Sequence, residues 1–162
     1  MAPRAAARAG AGGESVTSPS PRAPGQMSPG DGMRTFTLEM PEGLKLVNAN
    51  ARYAHPAIRG KDLAELRKAA WVKAHNALRA GLLVPLDRCR IVVEYQPPRT
   101  TRKRDGGNWA PTGKALIDGC RDAGLFPDDN SEHVTEEAYR IGEPFPKGRV
   151  VLFITEVPGG AE

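Results

Sequence analysis

The first 32 residues contain no aromatic residue, no leucine and no isoleucine, and this absence sets how large a folded body the chain can build. Seven alanines, six glycines, five prolines and four serines fill most of the segment. Such a stretch cannot bury enough apolar surface to offset the entropy lost on ordering. We expect residues 1–32 to be a disordered extension, a folded domain over 33–158, and a short tail at 159–162. The extension lacks the apolar run of about 7–15 residues that a secretory signal needs. Pro19, Pro21 and Pro24 interrupt any amphipathic transit helix, although Arg4, Arg8 and Arg22 give it a basic bias.

Over the whole chain, 23 basic residues face 19 acidic ones, a formal charge of +4. That excess permits a polyanionic partner without requiring one. No apolar stretch reaches the roughly 18–20 residues of a membrane span, so a soluble protein is expected, and its low cysteine usage makes a reducing, cytoplasmic compartment the expectation. Two cysteines, Cys89 and Cys120, are too few for a disulfide framework or an all-cysteine zinc site.

Within the domain, Phe36, Leu38 and Met40 alternate with Thr35, Thr37 and Glu39, the period of a half-buried strand. Residues 44–60 read as a loop. Asp62 with Glu65 reads as a capping box, and Leu63, Leu66, Ala70, Ala74 and Leu78 predict an amphipathic helix over 63–80. Gly81 suits the position just past its end. Cys89–Tyr95 reads as a strand closed by Pro97-Pro98. A second helix is predicted from Trp109 to Asp122, with Asn108 as its cap and Pro111 in its first turn. Val134–Ile141 and Arg149–Val157 read as strands. The expected fold is α/β: a small mixed sheet carrying two main helices in the order β-α-β-α-β-β. Trp71 and Trp109 are expected in the core.

The chemically informative stretch runs from Arg99 to Asp129. Arg99, Arg102, Lys103 and Arg104 cluster ahead of Asp105, and Gly106, Gly107 and Asn108 then mark a strand-to-helix junction. The helix carries Lys114 and Asp118, and Asp128-Asp129 follow it. Phosphodiester hydrolysis needs an activated water and neutralisation of charge on the phosphate. A magnesium ion supplies both, using a few carboxylates. Asp105, Asp128 and Asp129 are the candidate carboxylates. Lys114 is placed to reach a phosphate, and the basic cluster to hold a nucleic-acid backbone. Taken singly, these features also fit turns, caps and a helix-surface ion pair between Lys114 and Asp118.

Other motifs fail. The glycines from Gly107 to Gly113 are misplaced for a phosphate-binding loop, and Ala115 stands where that motif needs Ser or Thr. Asp128 to Glu132 lacks the glycine and spacing of a calcium loop. His55, His75 and His133 have no zinc spacing. His133 is expected to form a hydrogen bond at a strand start.

Three runs together resemble the RusA-type Holliday junction resolvases. They are Arg102-Lys103-Arg104-Asp105-Gly106-Gly107-Asn108, Lys114-Ala115-Leu116-Ile117-Asp118-Gly119 and Ala123-Gly124-Leu125-Phe126-Pro127-Asp128-Asp129. Members of that family are small endodeoxyribonucleases, often encoded by phages or prophages. The similarity covers roughly residues 35–157, and includes the loop Leu46 to Arg52, whose Asn50 and Arg52 match its asparagine-containing segment. It implies a homodimer that binds four-way DNA junctions and cuts them with Mg²⁺. It also implies Asp105, Asp128 and Asp129 as metal ligands, Lys114 as the catalytic lysine, and Asn50, Arg52, Arg99, Arg102, Lys103, Arg104 and Asn108 as DNA contacts. The family's first acidic pair reads Asp-x-Asp-Asn, whereas Gly107 stands here at the second acid. Two further readings are a junction-binding protein of this fold with impaired cleavage, and a non-enzymatic nucleic-acid- or protein-binding adaptor.

Overall fold

A computed structural model describes residues 33–99 and 103–159. The expected extension at 1–32, the tail from 160 and Arg102 lie outside them. Four strands form one mixed sheet in the order β1-β4-β2-β3, with β1 at Thr35–Glu39, β2 at Cys89–Gln96, β3 at Val134–Ile141 and β4 at Arg149–Glu156. β4 runs antiparallel to both β1 and β2, and β2 runs parallel to β3. Helix α1 spans Pro56–Arg79 and α2 spans Ala110–Asp122. A parallel pair cannot be joined by a tight turn, and α2 provides the crossover from β2 to β3. The predicted α/β class and element order are those observed.

Alternation along the strands puts Ile91, Val93 and Tyr95 of β2 and Val150, Leu152 and Ile154 of β4 on the face covered by the helices. Leu66, Ala70 and Ala74 of α1 and Leu116, Ile117 and Cys120 of α2 complete the core. Both helices end in a Schellman motif. The amide of Leu82 donates to the Ala77 carbonyl at 2.9 Å, and that of Leu125 to the Cys120 carbonyl at 3.1 Å. Gly81 and Gly124 supply the left-handed backbone this requires, with φ of 73° and 88°.

Three local expectations are corrected. α1 begins at Pro56, seven residues earlier than expected, because His55 Nδ1 accepts the Ala57 amide at 3.1 Å and Pro56 fixes a helical φ in the first turn. Asp62 is therefore not a cap; it lies buried within α1, with its carboxylate 3.0 Å from Lys45 Nζ. α2 is preceded by a 3₁₀ turn at Gly106–Trp109 capped by Asp105, so Asn108 does not cap the helix. Trp71 is 39% exposed, stacked on His75 at 4.6 Å, because the buried face of α1 is a narrow row of Leu66, Ala70 and Ala74. Trp109 is half-buried against Tyr95.

Cys89 and Cys120 are fully buried, as expected. Burial pushes the Cys89 thiol up to about 11 and that of Cys120 up to about 12. Unfolded thiols ionise near 8.5, so the folded protein keeps protons that the unfolded chain releases. This contribution to stability is complete below about pH 8.5 and is lost as pH rises toward 11–12. The urea midpoint is expected to fall between pH 8 and pH 10.5, and to fall less in Cys120→Ala. Equal pH slopes in the two proteins would refute the assignment.

Candidate functional site

The carboxyl end of β2 leads through the basic loop into the 3₁₀ turn and α2. Gly106 is set by close approach: a Cβ there would lie 2.9 Å from the Tyr139 carbonyl oxygen and 3.1 Å from Arg140 Cα, so the turn rests directly on the β3 backbone. Asp105 Oδ1 accepts the Gly107 amide at 3.0 Å, holding the turn closed. Position 107 itself is open, since a Cβ there would meet only Asp105 Oδ1 at 3.4 Å.

The loop before α1 is fastened to this turn. Thr112, fully buried in α2, accepts the Val47 amide at 2.8 Å and donates to the Val47 carbonyl at 2.9 Å. The Ala49 amide donates to the Asn108 carbonyl at 2.7 Å. Asn50 Nδ2 donates to Asn108 Oδ1 at 3.1 Å. Thus Asn50 and Asn108, 58 residues apart in sequence, sit side by side. Arg52 is exposed nearby in the chain. Arg99 and Lys103 are exposed, and the Arg104 guanidinium lies over the Tyr95 ring at 5.7 Å. Tyr95 in turn packs against Trp109, with ring centroids 4.4 Å apart.

Lys114 is the centre of the second group. Its ammonium lies 3.0 Å from Asp118 Oδ1, one turn on, and also contacts Asp129 Oδ2. Asp129 arrives from the segment that connects α2 to β3. Its other oxygen accepts from Arg121 at 2.6 Å. The same guanidinium stands 3.8 Å from Asp118 and 3.9 Å from Asp128. Asp128 Oδ1 accepts the Asp129 amide at 2.8 Å and Oδ2 accepts from Asn130 at 3.1 Å. Asp129 is largely covered, with 15% of its side chain exposed, whereas Asp128 keeps 51%. The fold therefore brings Lys114 and Asp129 into contact across 15 residues and sets Asp128 beside them.

Arg121 and Glu137 were not singled out in the sequence for this site. Glu137 and Tyr139 are two apart on β3 and so share a face. The Tyr139 hydroxyl donates to Glu137, and its ring occupies the space above Gly113, where a Cβ would lie 2.4 Å away. Partial burial raises the Glu137 carboxyl above the ordinary range; Lys114 opposes this rise and Asp118 adds to it. The alternation of Val134–Ile141 was the available sequence signal, but it could not show that β3 would lie beside α2.

Asp105 and the Asp128-Asp129 pair, the metal ligands the resemblance implies, are engaged separately. Among the described residues, no three His, Cys, Asp or Glu side chains gather into a group able to hold an ion. Asp129 has both oxygens on cations, and Asp105 is engaged in its own turn. Glu94 lies on the sheet face away from the helices, accepting from Arg140 at 2.6 Å and from Gln96 at 2.7 Å. His133 Nδ1 sits 2.8 Å from the Asp87 carbonyl oxygen at the start of β3, the hydrogen-bonding role expected of it. As arranged, the residues present do not fit Mg²⁺.

No helix among the described residues is long and apolar enough to cross a membrane. No protein-family model matches the sequence, and no curated protein matches it.

Proposed function

We propose that this chain is a structure-specific endodeoxyribonuclease that cuts four-way DNA junctions as a homodimer in the cytoplasm of a bacterial cell. One observation carries the reading: a helix-borne lysine and the acidic pair that follows its helix meet as Lys114 and Asp129, with Asp128 adjoining. Phosphodiester cleavage needs a cation at the phosphate and a carboxylate beside it, and this group offers both. A backbone phosphate entering the site competes with Asp118 and Asp129 for Lys114. Asp128, the most open of these acids, is the one placed to accept a proton from an attacking water. Arg99, Lys103, Arg104 and Arg52, exposed or partly so around the turn, supply contacts to the flanking backbone, with Arg102 in the same loop sequence.

The resemblance implies Mg²⁺, but Asp129 is held by Lys114 and Arg121 and Asp105 by its own turn. That neutralisation, together with the missing acid at Gly107, favours a second reading: a junction-binding protein with little cleavage. A labelled four-way junction and a matched linear duplex, incubated with and without Mg²⁺, separate the two. Paired cuts on the junction alone are expected, lost in Asp128→Asn while binding persists. Junction binding without cuts supports the second reading. Equal treatment of junction and duplex refutes both. Space at position 107 admits Gly107→Asp, which under the second reading restores cutting.

A further inference from the structure

A groove of about 750 Å³ lies between α1 and α2, with Lys114 and Asp118 in its lining. That volume is within the range of a small-molecule site. Its walls are apolar, from Leu63, Ala64, Pro111 and Ala115. Gly60 also lines it and is unusual. It lies inside α1, where glycine is unfavourable relative to alanine. Its φ is not positive, so the backbone does not require glycine there. A Cβ would meet nothing within 4 Å, so packing does not require it either. The glycine simply leaves the groove wider. Arg59 adjoins it in sequence and lines the same groove, and among the described residues its guanidinium has no ion-pair partner. The other groove arginine, Arg67, is held by Asp122 at 2.5 Å.

We propose that this groove takes one unstacked nucleotide of the DNA strand, its base against the apolar walls and its phosphate on Arg59. The inference rests on the junction-nuclease reading, because the strand is taken to continue from Lys114. Charge and continuity select this occupant: the groove offers apolar walls, the Arg59 cation with no ion-pair partner among the described residues, and a lysine of the candidate site in its lining. A peptide or lipid chain would use the apolar walls and Arg59, but would leave the lysine of the candidate site in the lining without a role.

The test uses the full chain and a four-way junction carrying 2-aminopurine, placed in turn at each nucleotide flanking the exchange point. Wild type is expected to raise the fluorescence at one such position, as the base leaves its stack. Gly60→Leu fills the groove with a good helix former. It is expected to keep or raise Tm, to weaken junction binding by about tenfold or more, and to abolish the fluorescence change. Gly60→Ala is expected to weaken junction binding less than Gly60→Leu does. Arg59→Ala is expected to weaken binding and lower its salt slope by about one phosphate, giving a second readout should Gly60→Leu fail to fold. Wild-type junction binding that is unchanged in Gly60→Leu and Arg59→Ala overturns the groove assignment alone. Sedimentation showing that Gly60→Leu separates a dimer into monomers overturns it in favour of an interface between copies. Absence of junction binding by wild type overturns the functional reading and this inference with it.

Discussion

Gly119→Ala is expected to destabilise the protein by about 3 kcal/mol or more, lowering Tm by about 10 °C. A Cβ at this position of α2 would lie 2.2 Å from the Arg67 carbonyl oxygen, 2.9 Å from Ala70 Cβ and 3.0 Å from the Trp71 nitrogen. Two of these neighbours are backbone atoms of α1, which no rotamer change can move. The helices must separate, and the row of Leu66, Ala70 and Leu116 beneath them loses contact. Alanine's better helix propensity, worth about 1 kcal/mol, opposes the effect and is outweighed. Gly113→Ala is a useful contrast. Its close neighbours all belong to the Tyr139 side chain, which can swing aside. A smaller loss of stability is expected there, with the hydrogen bond from Tyr139 to Glu137 broken. Thermal melts of both variants decide the matter: equal, small losses would mean that the helix crossing is looser than the structure shows.

Lys114→Met should leave Tm within a few degrees of wild type and lower junction cleavage by about 10²–10³-fold. The contrast in magnitude is the point. Lys114 keeps 55% of its side chain exposed, and ion pairs in such settings contribute about 0.2–1 kcal/mol to stability. A cation aimed at charge developing in a transition state is worth several times more. Single-turnover cleavage of the junction under conditions of saturating binding isolates the chemical step. Lys114→Arg is not expected to restore the rate, since a planar guanidinium cannot take the place of a compact ammonium between Asp118 and Asp129. Wild-type cleavage by Lys114→Met would reduce the lysine to an ion-pair partner and remove the main support for a nuclease site.

What the sequence revealed depended on how local each determinant was. α2 was legible because Pro111 starts it, Gly124 ends it, and Leu116, Ile117 and Cys120 repeat at its period. The four strands were legible from alternation or from short apolar runs. The start of α1 was not, because Asp62 and Glu65 imitate a capping box while the actual cap is a histidine followed by proline. Trp71 was misplaced because its burial depends on which residues of α1 meet α2, and the close crossing at Gly119 admits only small side chains there. In the site, the spacing of Lys114 and Asp128-Asp129 was visible as a motif. That Arg121 would neutralise the same acids, and that Glu137 would approach from β3, depended on the path of the segment after α2 and on the parallel pairing of β2 with β3. Those are properties of the sheet, beyond any window of the sequence.

The strand order has a consequence for how the chain comes together in time. β4 is the last strand in sequence yet stands between β1 and β2. Thr35 meets Thr155 across 120 residues of chain, one of the longest loops the domain closes. Contacts of such separation form late, because their loop entropy must be met before any pairing rewards it. During synthesis β2, α2 and β3 can dock as soon as they emerge, but β1 has nothing to pair with until the final strand is made. Until then the edges of β1 and β2 stay open to pairing with other chains. Slow release of the last strand would therefore favour aggregation over folding.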